Sequence, residues 1–294
     1  MTDRADVELV RRGLARSRRQ AGELVAAGRV RADGAVLTKP SVQVPASVLL
    51  EVETDPQDPG WASRAGGKLA GTLEALDADP AGRHLTARVP GARCLDLGAS
   101  TGGFTDVLLR RGASSVVALD VGHGQLVPAL RADDRVTVVE GFNVRELTAA
   151  DLDVVPDVVV GDLSFISLVL VLPAVARVAP LGTAVLLLVK PQFEVGRERL
   201  GSGGVVRDPA QQVEAVVTVA RSGAAEGLVP RAVVPSPLPG PSGNREFFCW
   251  FERVDGPVEV DVAALRAAAT TAVAWEPHGV PPVVACGSTD GGDR

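Results

Sequence analysis

Lysine is nearly absent from this chain of 294 residues: of its 30 cationic residues only Lys39, Lys68 and Lys190 are lysines, and the other 27 are arginines. In a chain so committed to guanidinium, a retained ammonium either stands on the surface by chance or has a task arginine does not perform. Tyrosine is missing altogether, and seven phenylalanines and three tryptophans are the whole aromatic content. So few rings argue against a surface that reads single strands by stacking. Cys94, Cys249 and Cys286 are far apart, odd in number and free of any CxxC spacing, which excludes a disulfide framework and a cysteine zinc site. With three histidines the clusters of a metal site are also missing, and no metal is expected. No apolar run reaches the roughly 18 uncharged residues of a spanning helix; the densest, 166–189, is cut by Pro173, Arg177 and Pro180. The opening residues carry charge where an export signal has its apolar segment. The expectation is a cytoplasmic protein without membrane contact. At 46% hydrophobic the chain has ample material for a core, and disorder throughout is excluded.

Charge and composition divide what is there. Residues 1–50 hold nine cationic and five acidic side chains, net +4, against −6 for the whole chain. The small N-terminal part is therefore the basic one. Val7, Val10 and Leu14 recur at helical spacing, Ser17-Arg18-Arg19-Gln20 has the form of a capping box that opens a second helix, and Gly28 stops it. Val30, Val36 and Leu37 around Asp33-Gly34, then the alternation Val42, Val44, Val48, Leu50, Val52, predict a small strand cluster. This gives an α+β domain over 1–54, followed by a linker at 55–62. From 63 to 254 strands at 93–97, 116–120, 136–140, 155–161, 184–189, 232–235 and 247–252 alternate with helices near 103–111, 126–131, 167–178 and 209–226. That alternation predicts an α/β domain with a doubly wound parallel sheet, whose ligand crevice lies beyond the carboxyl ends of the strands. A C-terminal extension, 255–294, reads as one helix at 262–275 and a mobile tail rich in Gly, Pro and Asp.

The strongest local signal is the run from Cys94 to Phe104, CLDLGASTGGF. A buried strand ends at Asp96, a glycine-rich turn follows and a helix begins, so that main-chain N–H groups face a ligand closely. A P-loop needs GK[ST] at the end of this turn, but Gly103 and Phe104 follow Gly102. Gly98-Ala99-Ser100-Thr101-Gly102 formally matches a nucleophile elbow, which requires a later acid and then a histidine. Only His84, His123 and His278 exist, and a serine hydrolase is poorly supported. The third reading is a nucleoside cofactor site. Its spacing is D-x-G-x-x-x-G, and Asp120 at the end of the next strand offers a carboxylate to a ribose diol. The pattern resembles the S-adenosylmethionine site of Rossmann-like methyltransferases. Asp96 suits a ligand with a cationic amino acid tail and would repel a pyrophosphate. A turn that only packs helix on strand is the bland alternative.

Lys68 precedes the sheet, Lys190 follows the fifth strand, Asp162 ends the fourth and Glu246 opens the last. Asp162 and Lys190 thus share the ligand edge, where two cations and two anions would converge; two surface ion pairs are the alternative. A hydroxyl nucleophile needs a base as a methyl group arrives, and an amine serves where guanidinium effectively does not.

The ordered segments RADVELVRRGLARSRRQAGELVAAGRV, SRAGGKL, CLDLGASTGGFTDVLL, ALDVGHGQL, DLSFISL, VKPQFEVG, GGVVRDP and PSPLPGPSGNREFF strongly resemble the TlyA (hemolysin A) family, ribosomal RNA 2'-O-methyltransferases related to the FtsJ group. The resemblance spans about residues 4–253. It implies a Rossmann-like S-adenosylmethionine-dependent fold and a Lys-Asp-Lys-Glu tetrad at Lys68, Asp162, Lys190 and Glu246. It implies cofactor contacts at Asp96, Gly98, Ser100, Gly102 and Asp120, with Asn143 toward the adenine edge. Lys190 is then the general base, Lys68 and Asp162 tune it and orient the ribose, and Glu246 positions Lys68 or the nucleotide. The family acts on cytidines of small- and large-subunit ribosomal RNA, and its loss is associated with capreomycin resistance. Three departures stand out. Ala65 replaces a glycine after Ser63-Arg64, Ala5 stands where an apolar residue is more usual, and Pro59-Gly60-Trp61-Ala62 lacks the arginine expected in relatives that modify both subunits.

The N-terminal part resembles the alpha-L fold named after ribosomal protein S-four. That likeness implies phosphate contacts by Arg11, Arg12, Arg16, Arg18 and Arg19 without base reading, recognition of folded ribosomal RNA by shape, and extrusion of the target nucleotide. Two rivals remain at this stage: an RNA-binding protein with an inactive methyltransferase fold, and a membrane-active hemolysin. The sequence offers the second neither a spanning helix nor a basic amphipathic one.

Overall fold

The structure is a computed structural model that describes residues 2–15, 18–53 and 59–287, the side chains of Arg19, Arg197 and Ser202 aside. The chain divides into two compact units, Met1–Ser63 and Arg64–Arg294. In the first, β1 (Thr2–Arg4) leads into α1 (Ala5–Arg11), and α2 (Arg18–Ala26) follows. The 7–10–14 spacing predicts a helix reaching Leu14, but α1 stops at Arg11 because Gly13 takes φ 71°, a left-handed residue that ends the helix. Strands β2 (Val30–Ala32) and β3 (Ala35–Val36) pair across Asp33-Gly34, whose φ values of 47° and 81° are those of the hairpin turn that Asp-Gly favours. The alternation over 42–52 is two strands rather than one: β4 (Gln43–Pro45) pairs with β1, and β5 (Leu50–Val52) with β2. Leu9, Leu24, Val25, Val30, Val44 and Leu50 close a core of their own. Arg16, Ser17, the first half of the 55–62 linker and the tail from 288 lie outside the described residues.

The second unit opens with α3 (Arg64–Ala78), which sequence patterning misses. Leu69, Leu73 and Leu76 are buried at helical spacing, but Gly66, Gly67 and Gly71 dilute the signal. The helix α4 (Arg83–Thr86) follows, and the chain then alternates through β6 (Arg93–Leu97), α5 (Gly103–Arg110), β7 (Ser115–Leu119), α6 (Pro128–Arg131), β8 (Val136–Val139), β9 (Val158–Gly161), α7 (Leu172–Val178) and β10 (Ala184–Val189). The strand read at 155–161 begins only at Val158, because Pro156 cannot donate to the ladder and Asp157 turns to Arg93. These five strands are parallel, in the order β10-β9-β6-β7-β8. The chain runs β6 to β8 outward in one direction and resumes at β9 on the other side of β6. The switch point therefore falls at the carboxyl ends of β6 and β9, where α/β sheets bind ligands. All six residues of β10 are buried, as a central strand covered on both faces requires.

Beyond β10 the all-parallel expectation gives way. The chain continues through α8 (Pro191–Glu194), α9 (Pro209–Ala225), β11 (Leu228–Pro235), β12 (Phe247–Arg253), α10 (Val262–Ala274) and β13 (Val284–Ala285). Here β12 inserts antiparallel between β10 and β11, and β13 adds antiparallel to β11. The connection over 236–246 is too short for a helical crossover, so β11 returns on itself as a neighbour. The antiparallel sense of β12 puts its first residues, not its last, at the carboxyl edge of the parallel strands: Phe247 pairs with Val189. Within the C-terminal extension the expected helix is α10, and the stretch after it, read as a mobile tail, pairs with β11 at Val284–Ala285. Leu265, Ala268, Ala269 and Ala272 of α10 join the main core, and Cys286 is buried beside β11, its N–H bonded to the Arg231 carbonyl.

Close packing of α9 on β12 depends on Gly223, where an added Cβ would lie 2.7 Å from the ring of Phe251, itself fully buried. Gly223→Ala is expected to lower unfolding free energy by about 1–3 kcal/mol through overpacking. Adding Phe251→Leu should make the double variant less than additive in urea denaturation, and full additivity would contradict this contact.

Candidate active site

Two turns at the switch point carry the candidate residues. In the first, β6 delivers Asp96, fully buried, whose Oδ2 accepts from the Thr105 hydroxyl at 2.7 Å. Its Oδ1 has no partner among the described residues. Burial pushes this carboxyl up to about 7, against the pull of the Thr105 hydrogen bond, with the charges of Asp162 and Asp120 adding to the rise. Gly98 and Gly102 follow with φ of 80° and 95°. A Cβ at Gly98 would press Leu163 and the Asp162 carbonyl, and one at Gly102 would lie 2.3 Å from Leu130. Between them Ser100 takes φ 48°, and its N–H donates to Asp120 Oδ2 at 2.8 Å. Asp120 Oδ1 accepts from Gly122 N at 2.7 Å, so the carboxylate at the end of β7 ties down both turns. An unpartnered buried acid oxygen beside this glycine-rich turn fits a ligand with a cationic group. Asn143 is occupied differently: it caps a short 3-10 turn, accepting from Arg145 N and donating to Glu146 Oε1.

The second cluster is two lysine–carboxylate pairs. Lys68 Nζ lies 2.6 Å from Glu246 Oε2, both side chains almost wholly buried. Lys190 Nζ lies 2.7 Å from Asp162 Oδ1 and donates to Ser164 Oγ at 2.7 Å. Gln192, two residues after Lys190, donates to Glu246 Oε1 at 3.4 Å, and its own carbonyl oxygen has no partner among the described residues. Local sequence explains the convergence. Gly67 and Gly71 let α3 lie against the 236–246 segment, where a Cβ would come within 2.9 Å of Leu238 and Pro237 respectively. Asn244 accepts from Val206 N and donates to the Gly204 carbonyl, fixing that segment from its other side.

Several participants escape sequence reasoning. Gln192, Ser164 and Asn244 lie inside the quoted motifs, yet nothing in residue type alone distinguishes them. Phe165 carried a signal, being one of few aromatics and directly beside Asp162-Leu163-Ser164. It is 92% exposed with φ 63° and leans on Phe193, whose ring also faces Lys190 Nζ at 5.9 Å. A bulky residue in this conformation is strained, and such strain concentrates at functional sites.

The N-terminal arginines are less free than their count implies. Arg11 and Arg12 both pair with the buried Glu8, and Arg12 also donates to the Val48 and Ala46 carbonyls. Arg18 shares the buried Asp6 with Arg4. These hydrogen bonds pull the Asp6 and Glu8 carboxyls down to about 2. Arg11 and Arg18 stay about 60% exposed, so their outer faces are presented to solvent, whereas Arg12 is mostly spent within the fold. Arg16 and the side chain of Arg19 lie outside the described residues.

An Asp96 carboxyl at about 7 against an ordinary 3.8 means that the ligand-free fold prefers it protonated. Its burden is absent below about pH 4, where folded and unfolded chains both hold the proton, and grows as pH rises to 7. Asp96→Asn should therefore gain stability relative to the parent as pH rises from 4.5 to 8 in urea denaturation of the ligand-free protein. A pH-independent gap would contradict this.

Comparison with known proteins identifies the families of both units. The FtsJ-like methyltransferase model matches residues 61–253, and the S4 domain model matches residues 3–49. The 16S/23S rRNA (cytidine-2'-O)-methyltransferase TlyA of Mycobacterium tuberculosis is 52% identical over 247 residues, which is 84% of this chain and 88% of the relative. Hemolysin A of Brachyspira hyodysenteriae is 36% identical over 81% of this chain and 95% of its own length. A solved structure from Streptococcus thermophilus that carries the hemolysin name superposes with a TM-score of 0.70 at 36% identity, covering 92% of this chain and 95% of that one.

Proposed function

Because the chain belongs to the FtsJ-like methyltransferase family, among TlyA relatives with an N-terminal S4 domain, we propose that it methylates the ribose 2'-hydroxyl of a cytidine in ribosomal RNA, with S-adenosylmethionine as donor. The observation that carries the reading is the pair of buried lysine–carboxylate contacts, Lys68–Glu246 and Lys190–Asp162, the second of them beside the glycine-rich turn. S-adenosylmethionine supplies, when bound, a methyl group activated on a sulfonium. Asp96 answers its cationic amino group, Gly98, Ser100 and Gly102 line its approach, and Asp120 offers a carboxylate to its ribose. Asn143 is the candidate for the adenine edge once it leaves its capping bonds. Lys190 Nζ, once its ammonium has given up its own proton, would accept the proton that the 2'-hydroxyl releases on taking the methyl group, the carbon–sulfur bond of the donor breaking to leave a neutral thioether, with Asp162 and Ser164 holding that nitrogen in place. Lys68, held by Glu246, orients the ribose. The exposed ring of Phe165 gives an extruded base a face on which to stack.

In the N-terminal unit the exposed sides of Arg11 and Arg18, with Arg16 and Arg19, are assigned to phosphates of folded ribosomal RNA; Arg12 serves chiefly the fold. Such an enzyme works where ribosomal subunits are found, in the cytoplasm. The hemolysin name belongs to relatives, and among the described residues no helix is long and apolar enough to cross a membrane.

The test exposes ribosomal subunits lacking the modification to the protein and methyl-labelled S-adenosylmethionine, then digests the RNA in alkali. A 2'-O-methyl group removes the hydroxyl that cleaves its own phosphodiester, so label is expected in an alkali-resistant dinucleotide with cytidine on its 5' side. Label in mononucleotides would mean methylation of a base and contradict the reading.

A further inference from the structure

A cavity of about 240 Å³ opens beside Glu246. One wall is the 236–246 segment, with Pro239 and Glu246 itself; the other is Trp275, Glu276 and Pro277, which follow α10. These last three residues lie beyond the FtsJ-like match, which ends at 253. The two walls are fastened by the neighbour of the catalytic-site glutamate. Arg245 donates to the Val273 carbonyl at 2.7 Å and to the Trp275 carbonyl, which lie at the end of α10 where helical acceptors lack partners. Its guanidinium also lies over the Phe247 ring at 6.0 Å. The extension is thus anchored to the loop that carries Glu246, one residue away.

The chemistry of the cavity narrows what enters. It is smaller than the ~300–1,000 Å³ typical of sites for drug-sized ligands, which leaves room for one planar ring system. The indole and the three prolines that line it, Pro235, Pro239 and Pro277, supply apolar faces to such a ring. Glu246 is committed to Lys68 and Gln192, and Arg245, which also lines the cavity, is spent on the Val273 and Trp275 carbonyls. The 74% exposed Glu276 at the rim, 3.9 Å from that guanidinium, is therefore the group that disfavours a phosphate and accepts from an exocyclic amine instead. We propose that this cavity receives a nucleobase of the substrate RNA flanking the methylated nucleotide, and that Trp275 is its stacking surface. The inference rests on the function proposed above and adds an RNA contact supplied by the C-terminal extension.

The experiment compares Trp275→Phe with Trp275→Leu in steady-state methylation of ribosomal subunits, with S-adenosylmethionine affinity measured separately. Both replacements keep an apolar side chain, but only phenylalanine keeps a ring face. Stacking predicts that Trp275→Leu raises KM for the RNA by about tenfold at unchanged kcat and cofactor affinity, while Trp275→Phe stays near the parent. Equal KM in both variants and the parent would overturn the proposal, as would parallel losses of kcat and cofactor affinity in both, the mark of a packing role. Methylation of the ribose by the parent together with either of those outcomes would leave the function standing and remove only this subsite. A parent that transfers no methyl group to the ribose would overturn both.

Discussion

Burying two ammonium groups is the demand that shapes the catalytic unit. Lys68 and Lys190 lie almost wholly out of water, each against a carboxylate at 2.7 Å or less. Removing one partner of such a pair leaves an uncompensated buried charge, at a cost of about 3–5 kcal/mol, whereas apolar residues of the same volume would often serve stability equally well. Stability alone therefore does not account for the pairs. They also explain features that otherwise look arbitrary. The glycines of α3 let Lys68 reach the 236–246 segment, and the antiparallel sense of β12 brings Glu246 to the ligand edge. The short helix after β10 brings Gln192 to Glu246. Four chain segments, separated by up to 178 residues, meet there.

The glycine-rich turn and the lysine pairs share a wall. A Cβ at Gly98 would lie 3.1 Å from Leu163 and 3.3 Å from the Asp162 carbonyl, which sets the glycine-rich turn directly against the strand end that carries Asp162. Asp96 belongs to the same economy of charge. Its carboxyl is held up near 7 by burial and by the neighbouring Asp162 and Asp120, and a cationic ligand arriving beside it would relieve that burden. A site that is electrostatically uncomfortable when empty is preorganised for a positive ligand.

Much of this was legible in the chain, and the gaps have physical reasons. Strands 93–97 and 184–189 stand out because both ends are marked, by Asp96-x-Gly98 in one case and Lys190-Pro191 in the other. Helix α3 was hidden because the close packing that positions Lys68 calls for glycines, which weaken the periodic signal. The sense of β12 was not visible since strand direction depends on the connection before it, not on the strand's own residues. For the basic N-terminal helices, residue counts overstated the free charge: Asp6 and Glu8 are buried beneath them and claim the guanidinium groups. The tail after α10 looked mobile from its glycines and prolines, although Val284 and Cys286 were enough to hold it on β11.

The claim on which the account turns is that Lys190 handles the 2'-hydroxyl proton while the glycine-rich turn holds the cofactor separately. Lys190→Arg keeps the positive charge opposite Asp162 but gives up the amine. Single-turnover methyl transfer to ribosomal subunits, with S-adenosylmethionine binding measured by calorimetry on the same preparation, is the most direct measurement. The account predicts unchanged cofactor affinity and a rate lowered by about 10²–10⁴-fold, the usual contribution of a positioned general base. Transfer at close to the parent rate would contradict it.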